Sequence, residues 1–175
     1  MRSMLTAETP DPRTLRRGDF DRVTRVSTRW ADNDMFGHLN NAVYYELFDS
    51  AINAWMIEGA GVDESTSPEI GVVAESGCRF LRELAYPEPV DVAIRVARLG
   101  RSSITYELGL YAASAQDIAA YGQWVHVYVG RDSRTAVPIP APVREVLERA
   151  LAARPAPALP TSRDPQASAG HGAVG

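Results

Sequence analysis

Lysine is absent from the chain, and cysteine is almost absent. All 18 basic residues are therefore arginines, and 22 acidic residues outnumber them, so the formal net charge is -4. A chain with this balance repels nucleic acid on average, and we expect no DNA or RNA partner. The single cysteine, Cys78, excludes an intramolecular disulfide framework and favours a reducing compartment.

Long apolar runs are missing as well. No segment approaches the roughly 18 apolar residues that a membrane-spanning helix requires, and residues 1–18 lack the apolar stretch of a secretory signal. Together with the single cysteine, these absences predict a soluble cytoplasmic protein that has no membrane partner.

Several cofactor and nucleophile motifs are also absent. The chain has no Walker loop, no dinucleotide-binding glycine fingerprint and no Gly-x-Ser-x-Gly elbow, which argues against ATP, NAD and FAD and excludes a serine hydrolase. Its three histidines lie too far apart in sequence to indicate a zinc site. We therefore predict no metal and no redox cofactor.

The apolar residues that are present predict one domain between two polar ends. Residues 1–18 carry prolines, a glycine and scattered charges without periodicity, and we expect them to form a flexible arm. Residues 152–175 are dominated by Ala, Pro, Ser and Gly, and we expect a disordered tail. The working domain is predicted to span residues 19–151, which is long enough for one core.

Periodicity within this domain predicts an α+β fold. Apolar residues at helical spacing indicate a long helix over about residues 40–57, which Gly59 and Gly61 would end. Alternation predicts strands over 22–30, 70–80, 90–99, 103–112 and 119–130, the third of them half-buried, and a short helix over 143–151. Strands joined by short turns pair antiparallel, so we expect a five-stranded antiparallel sheet wrapped around one long central helix.

Polar side chains crowd the segment before the long helix. They are Asp32, Asn33, Asp34, His38, Asn40 and Asn41. One interpretation is a loop whose Asp and Asn residues cap the helix. The other is a reactive site, because a carboxylate beside free helix amides can attack a thioester or activate water while the amides stabilise the oxyanion. The spacing alone leaves both open.

The same segment resembles the signature of the 4-hydroxybenzoyl-CoA thioesterase family of hot-dog-fold enzymes. The matching residues are Asp32, Asp34, Gly37, Asn40, Asn41 and Tyr44, and the resemblance continues through residues 78–111 and 120–147 to cover about 23–147. It implies acyl-CoA hydrolysis, with Asp34 as the catalytic carboxylate and the backbone amide of Asn41 directed at the thioester carbonyl. Asp32 would cap or brace the turn.

Two residues of this motif need separate comment. Asn41 stands where several relatives carry His or an aromatic residue, so no role of its side chain follows from the resemblance. His38 matches a Gly-His-x-Asn-Asn subgroup. The resemblance leaves open whether His38 touches the reacting centre or holds the loop.

The resemblance also implies how the substrate binds. Candidates for contacting the CoA phosphates are Arg101, Ser102 and Ser103, in a turn between two strands, although an arginine in a turn can equally be only solvated. The acyl-CoA would lie across the interface of a homodimer, and pairing of dimers into a tetramer stays open. Candidates for the acyl pocket are Tyr45, Phe48, Asp49, Ile52 and Trp55, whose burial by the sheet is the other explanation.

Two other functions remain open: a non-catalytic module that binds acyl-CoA or an acyl carrier, and a hot-dog dehydratase or hydratase. The intact acid at Asp34 argues against the first. The lack of a second helix with a paired His and acid argues against the other.

Overall fold

One long helix forms the centre of the computed structural model, which describes residues 11–63 and 65–154. This helix, α1, is Asn41–Ala60, and it begins where the side chain of Asn40 accepts a hydrogen bond from the backbone N–H of Ala42. It ends at Gly61, whose φ of 64° lies in the left-handed region that glycine adopts without strain. The predicted helix is confirmed, and it extends beyond the predicted end at residue 57.

Five strands form one antiparallel sheet. They are β1 (Arg22–Val26), β2 (Glu69–Phe80), β3 (Val90–Leu99), β4 (Ser103–Ala112) and β5 (Ala120–Gly130). Their order across the sheet is β1-β3-β4-β5-β2, and every neighbouring pair is antiparallel. A second helix, α2 (Ala141–Ala152), packs against α1 and β3. The hot-dog fold expected from the sequence is confirmed.

The inner face of the sheet packs on α1. Phe48 and Ile52 of the helix are fully buried, as are Ile94 and Leu108 of the sheet. Burying a side chain of this size stabilises a fold by about 1.5–3 kcal/mol. The apolar face of α1 is therefore held by the sheet, as its periodicity predicts.

The outer face of the sheet is partly covered by the chain's own N-terminal segment. Leu15 and Phe20 are buried there, in a cluster with Ala93 and Tyr111. Gly109 makes room for this cover, because a Cβ at that position would lie 2.9 Å from Cζ of Phe20. Residues 11–18, which the sequence assigns to a flexible arm, thus lie against the domain.

Arg17 anchors this segment to β3. Its Nε lies 2.8 Å from Oδ2 of Asp91, and its guanidinium also donates to the carbonyls of Ala112 and Ala115 at 2.8 and 2.6 Å. Arg25 contacts the same carboxylate at 2.8 Å. The first half of β3 is consequently buried on both faces. The prediction of a half-buried strand is therefore wrong for this half of β3. The pattern of the strand does not show the cover, because the N-terminal segment that provides it lies far away in sequence.

Element boundaries differ from the prediction by one residue at the starts of β2 and β5, and by more in β1 and α2. Strand β1 stops at Val26 instead of continuing to residue 30, because Trp30–Asp32 forms a 3-10 turn. Helix α2 is longer at both ends than the predicted 143–151. Residues 1–10 and 155–175, which include most of the predicted arm and tail, lie outside the described residues. None of the helices in the described ranges is long and apolar enough to cross a membrane.

Strand β2 lies at one edge of the sheet, next to β5. It is 12 residues long, and it exposes two large apolar side chains, Val73 at 45% and Phe80 at 44%. A long edge strand with exposed apolar residues offers a ready surface for another strand.

Candidate functional site

A tight loop of residues 33–40, the Asp34 loop, leads into α1. An isolated β-bridge pairs Asn33 with Leu39, and the backbone N–H of Asp34 donates to the carbonyl of His38 at 2.8 Å. Gly37, whose φ is 89°, makes the turn between them. The loop therefore places Asp34 and His38 opposite each other at the amino end of the helix.

The Asp34 carboxylate is half-buried and borders a cleft of about 250 Å³, the Asp34 cleft. The cleft is lined by Asp34, His38, Leu39, Asn41, Tyr44, Phe80, Leu81, Arg82 and Glu83. Oδ1 of Asp34 accepts a hydrogen bond from the backbone N–H of Phe36 at 2.8 Å. Oδ2 forms no hydrogen bond within the described residues. One oxygen is thus held in place while the other is available to a ligand.

The backbone N–H of Asn41 is also available. Asn40 caps the helix by accepting hydrogen bonds from Ala42 at its side chain, 3.0 Å, and from Val43 at its carbonyl, 2.9 Å. The N–H of Asn41, the first helical residue, forms no hydrogen bond in the part of the chain that the structure describes. It lies at the positive end of the helix dipole, where a free amide favours an oxygen that carries negative charge.

Two aromatic rings form one wall of the cleft. Tyr44 of α1 and Phe80 of β2 meet edge to face, with their centroids 5.0 Å apart. Burial raises the pKa of Tyr44, and the negative charges of Glu83 and Asp34 add to that rise. The phenol therefore stays protonated and neutral at physiological pH.

Glu83 is a residue of the cleft that the sequence did not predict. Its Oε2 lies 3.3 Å from Nε2 of His38. No motif identifies Glu83, because it follows β2 and reaches the Asp34 loop only through the tertiary fold. The described residues contain no group of three or more His, Cys, Asp or Glu side chains that could hold a metal ion.

Asp32 makes contacts that brace the chain before the loop. It is buried, and its carboxylate accepts hydrogen bonds from the backbone N–H and the Nε of Arg29 at 2.7 and 2.8 Å. Burial by itself would raise the pKa of Asp32, but the hydrogen bonds and charge of Arg29 outweigh it, and the pKa is lowered. Both oxygens of Asp32 are therefore engaged, unlike those of Asp34.

A profile described as the thioesterase-like superfamily matches residues 28–147. The chain belongs to this thioesterase-like superfamily. The PA5185 protein of Pseudomonas aeruginosa strain PAO1 is 40% identical, with a TM-score of 0.75 over 77% of this chain and 94% of that one.

Two further relatives are more distant. Slr0204, a 1,4-dihydroxy-2-naphthoyl-CoA thioesterase from Synechocystis, is 14% identical and shares the fold, with a TM-score of 0.66 over 71% of this chain and 93% of its own. YsmA of Bacillus subtilis strain 168, an uncharacterized protein, is 27% identical over 86 residues. That match spans 49% of this chain and 58% of YsmA.

In this thioesterase-like chain, the predicted CoA contacts lie at the end of the sheet opposite the Asp34 cleft. They are Arg101, Ser102 and Ser103. Ser103 is paired with Val127 of β5, whereas Phe80 at the cleft is paired with Ala120. The step from Ala120 to Val127 covers roughly 23 Å, at about 3.3 Å per residue. One chain therefore does not bring the two sets of predicted residues together.

The backbone of that turn is fixed by its neighbours. The carbonyl of Arg101 accepts a hydrogen bond from Ile139 at 2.9 Å, and that of Ser102 accepts one from Tyr128 at 2.7 Å. The Arg101 side chain is exposed and pairs with no acidic side chain among residues 11–63 and 65–154. Its guanidinium is consequently available to an anion.

The predicted acyl-pocket residues of α1 divide into two groups. Phe48, Ile52 and Trp55 are buried in the main core, where the sheet accounts for them. Tyr45 and Asp49 are half-buried, and the ring of Tyr45 lies 5.9 Å from that of Trp124. Of the five candidates, only Tyr45 and Asp49 are not already enclosed by the core.

A larger cleft of about 840 Å³ lies between the N-terminal segment and the end of α2. Four of its five charged residues pair with one another: Arg154 contacts Asp21 at 2.6 Å, and Arg95 contacts Glu107. None of the residues predicted for the site lines it. Despite its smaller volume, the Asp34 cleft is the better candidate, because it holds a carboxylate oxygen and a helix amide that are both free.

Proposed function

We propose that this protein is an acyl-CoA thioesterase that hydrolyses its substrate in the Asp34 cleft. The observation that carries the proposal is that one cleft is lined by both Asp34, with an available carboxylate oxygen, and Asn41, with a free N–H at the amino end of α1. Membership of the thioesterase-like superfamily and the thioesterase fold of Slr0204 support the same reaction class.

The reaction converts a thioester and water into a carboxylic acid and CoA thiol. Asp34 either attacks the carbonyl carbon or removes a proton from the attacking water, since both routes need an ionised carboxylate at the same place. The N–H of Asn41 stabilises the oxyanion that forms, a contribution of about 3 kcal/mol where such a donor has been removed from other enzymes. CoA enters as part of the substrate, and the scheme requires no other cofactor.

We also propose a homodimer in which two chains pair antiparallel through β2. The exposed edge and its apolar side chains, Val73 and Phe80, support this arrangement. Twofold pairing of β2 brings the Val72 end of one strand beside the Phe80 end of the other. The turn that holds Arg101, Ser102 and Ser103 lies level with Val72 across the sheet, because Ser103 and Val72 both pair with Val127. This turn of one subunit then reaches the Asp34 cleft of the other.

Thiol release from a panel of short, medium, long and aromatic acyl-CoAs tests the proposal. The comparison is between the wild type, Asp34→Asn and a control, Asp132→Asn, whose side chain is exposed in the turn after β5. We expect turnover of at least one substrate, a loss of about 100-fold or more in Asp34→Asn, and wild-type turnover in the control.

The other outcomes identify the alternatives. Binding of acyl-CoA without thiol release by the wild type would indicate a binding module. Hydration of a 2-enoyl-CoA without thiol release would indicate a hydratase. Equal turnover by Asp34→Asn and the wild type would show that the nucleophile or base lies elsewhere.

A further inference from the structure

We propose that Glu83 is a positioning residue that orients His38 as the proton carrier for the departing CoA thiolate; this rests on the proposed thioesterase function. The two side chains meet at 3.3 Å, between Nε2 of His38 and Oε2 of Glu83, and both line the Asp34 cleft. The contact places Nε2 of His38 against the carboxylate and leaves Nδ1 as the ring nitrogen that can face the substrate. Glu83 thereby selects which nitrogen of His38 handles protons.

The fold holds these two residues together from both sides. The backbone N–H of Leu39 donates to the carbonyl of Leu84 at 2.7 Å, and the backbone N–H of Tyr86 donates to Oδ1 of Asn33 at 3.0 Å. Leu39 and Leu84, the chain neighbours of His38 and Glu83, are both buried. The segment after β2 is thus fixed against the Asp34 loop, and the approach of Glu83 to His38 is part of that framework.

Arg82, the charged residue that precedes Glu83 in the chain, already has an acidic partner. Arg82 donates to Asp117 at 2.8 Å, which directs its charge away from Glu83. The ionisable side chains that line the cleft with His38 are Asp34, Tyr44, Arg82 and Glu83. Among these groups only His38 carries an imidazole, whose two ring nitrogens can each hold and release a proton.

Both side chains of the ion pair are partly exposed, so we assign Glu83 an effect on the orientation of His38 and not on the stability of the fold. The side chain of His38 is 39% exposed and that of Glu83 is 77% exposed. Exposed ion pairs contribute little to stability. Removing the Glu83 carboxylate is therefore expected to leave the fold intact and to change catalysis.

Protons and electrons balance in the release of the CoA thiol. When the tetrahedral intermediate collapses, the C–S bond breaks, its electron pair goes to sulfur, and Nδ1–H of the His38 imidazolium transfers its proton to the thiolate. If Asp34 is the nucleophile, the water that cleaves the acyl-enzyme returns a proton to Nδ1; if Asp34 is the base, the proton it took from the attacking water passes on to Nδ1. One water is consumed, and no oxidant or further reactant is needed.

Leaving-group dependence separates this role from a structural one. Glu83→Gln, His38→Ala, the double variant and a control, Glu145→Gln on the exposed face of α2, are assayed with an acyl-CoA. The same variants are assayed with an aryl thioester of the same acyl group, whose thiol is more acidic. With the CoA ester we expect about a tenfold loss of kcat in Glu83→Gln at unchanged KM, and about 100-fold in His38→Ala. With the aryl thioester both losses should nearly vanish, because its thiolate leaves without a proton.

The double variant provides the second criterion. It should be no slower than His38→Ala, since Glu83 acts only through that residue. Additive losses, an equal loss on both esters, or wild-type kcat in Glu83→Gln would each overturn the role of Glu83 while leaving the thioesterase proposal standing. A wild type that releases thiol from no ester would defeat both.

Discussion

Gly122 of β5 lies directly beneath the ring of Phe48 in α1: a Cβ at Gly122 would be 2.8 Å from Cε2 of Phe48. The same Cβ would lie 3.3 Å from Cβ of Leu108. Phe48 is fully buried and cannot swing away into solvent. The close approach of helix and sheet in the core therefore depends on a missing side chain.

Gly122→Ala is expected to destabilise the protein by about 1–3 kcal/mol, the usual cost of forcing extra atoms into a packed core. Urea unfolding followed by far-UV circular dichroism measures this change. Gly77→Ala on the neighbouring strand β2 is the matched control, because a Cβ there meets nothing within 4 Å. Equal stability of the two variants would show that α1 can move away from the sheet.

Removal of the helix cap should affect both stability and catalysis. Asn40→Ala deletes the side-chain oxygen that accepts from Ala42, and we expect a loss of about 1 kcal/mol in the free energy of unfolding. A lower kcat should accompany it, because the cap orients the first turn of α1 and with it the N–H of Asn41. Asn40→Ser keeps a capping oxygen and should restore both values. Unchanged kcat in Asn40→Ala would argue against the Asn41 amide as the oxyanion donor.

The Asp91 ion pairs should make stability depend on pH. Hydrogen bonds from Arg25 lower the pKa of Asp91, and Arg17 adds to this effect, while burial opposes it. Because the pKa is lower in the folded state, the stabilisation is present above the unfolded value of about 3.9 and is lost as pH falls through the folded value.

Asp91→Asn is the variant that tests this dependence. It should be about 1–3 kcal/mol less stable than the wild type near neutral pH, and the difference should shrink in acid, as urea unfolding at several pH values would show. A difference that stays constant from neutral pH to below about pH 3 would contradict the assignment.

A charge on the exposed edge of β2 should break the proposed dimer. The wild type should elute as a dimer of the 19.1 kDa chain in size-exclusion chromatography with light scattering. Val73→Asp should elute as a monomer, because it places a carboxylate in the strand-to-strand interface. Val23→Asp is the matched control, since Val23 is 41% exposed on the opposite edge strand, β1. If only Val23→Asp dissociated the dimer, the interface would lie on β1 and not on β2.

The elements that the sequence predicts well are those whose signals are local. Strands β3 and β4 have the predicted boundaries, because each alternates regularly between turn residues. Helix α1 follows from apolar spacing, and Asn40, one of the Asp and Asn residues considered as caps, is the residue that caps it. The Asp34 loop is equally local, because its residues, 33–40, are neighbours in the chain.

The features that the sequence does not predict depend on distant segments. Glu83 meets His38 only after β2 has joined the sheet and the chain has turned back to the Asp34 loop. Leu15 and Phe20 cover β3 although nothing in the pattern of residues 90–99 requires a cover on that face. Strand β1 is shorter than predicted because hydrogen bonds between Arg29 and Asp32 compete with strand pairing.

The contact of Phe20 with Gly109 has a consequence for evolution. A Cβ at position 109 would lie 2.9 Å from both Cζ of Phe20 and Cε2 of Tyr111, so both rings would have to shift before a larger residue could fit. A substitution of Gly109 should therefore appear in relatives together with changes at positions 20 and 111. Homologues with smaller residues at both of those positions are expected to tolerate alanine or serine at position 109. The N-terminal segment and the centre of β4 thus constrain each other's sequences.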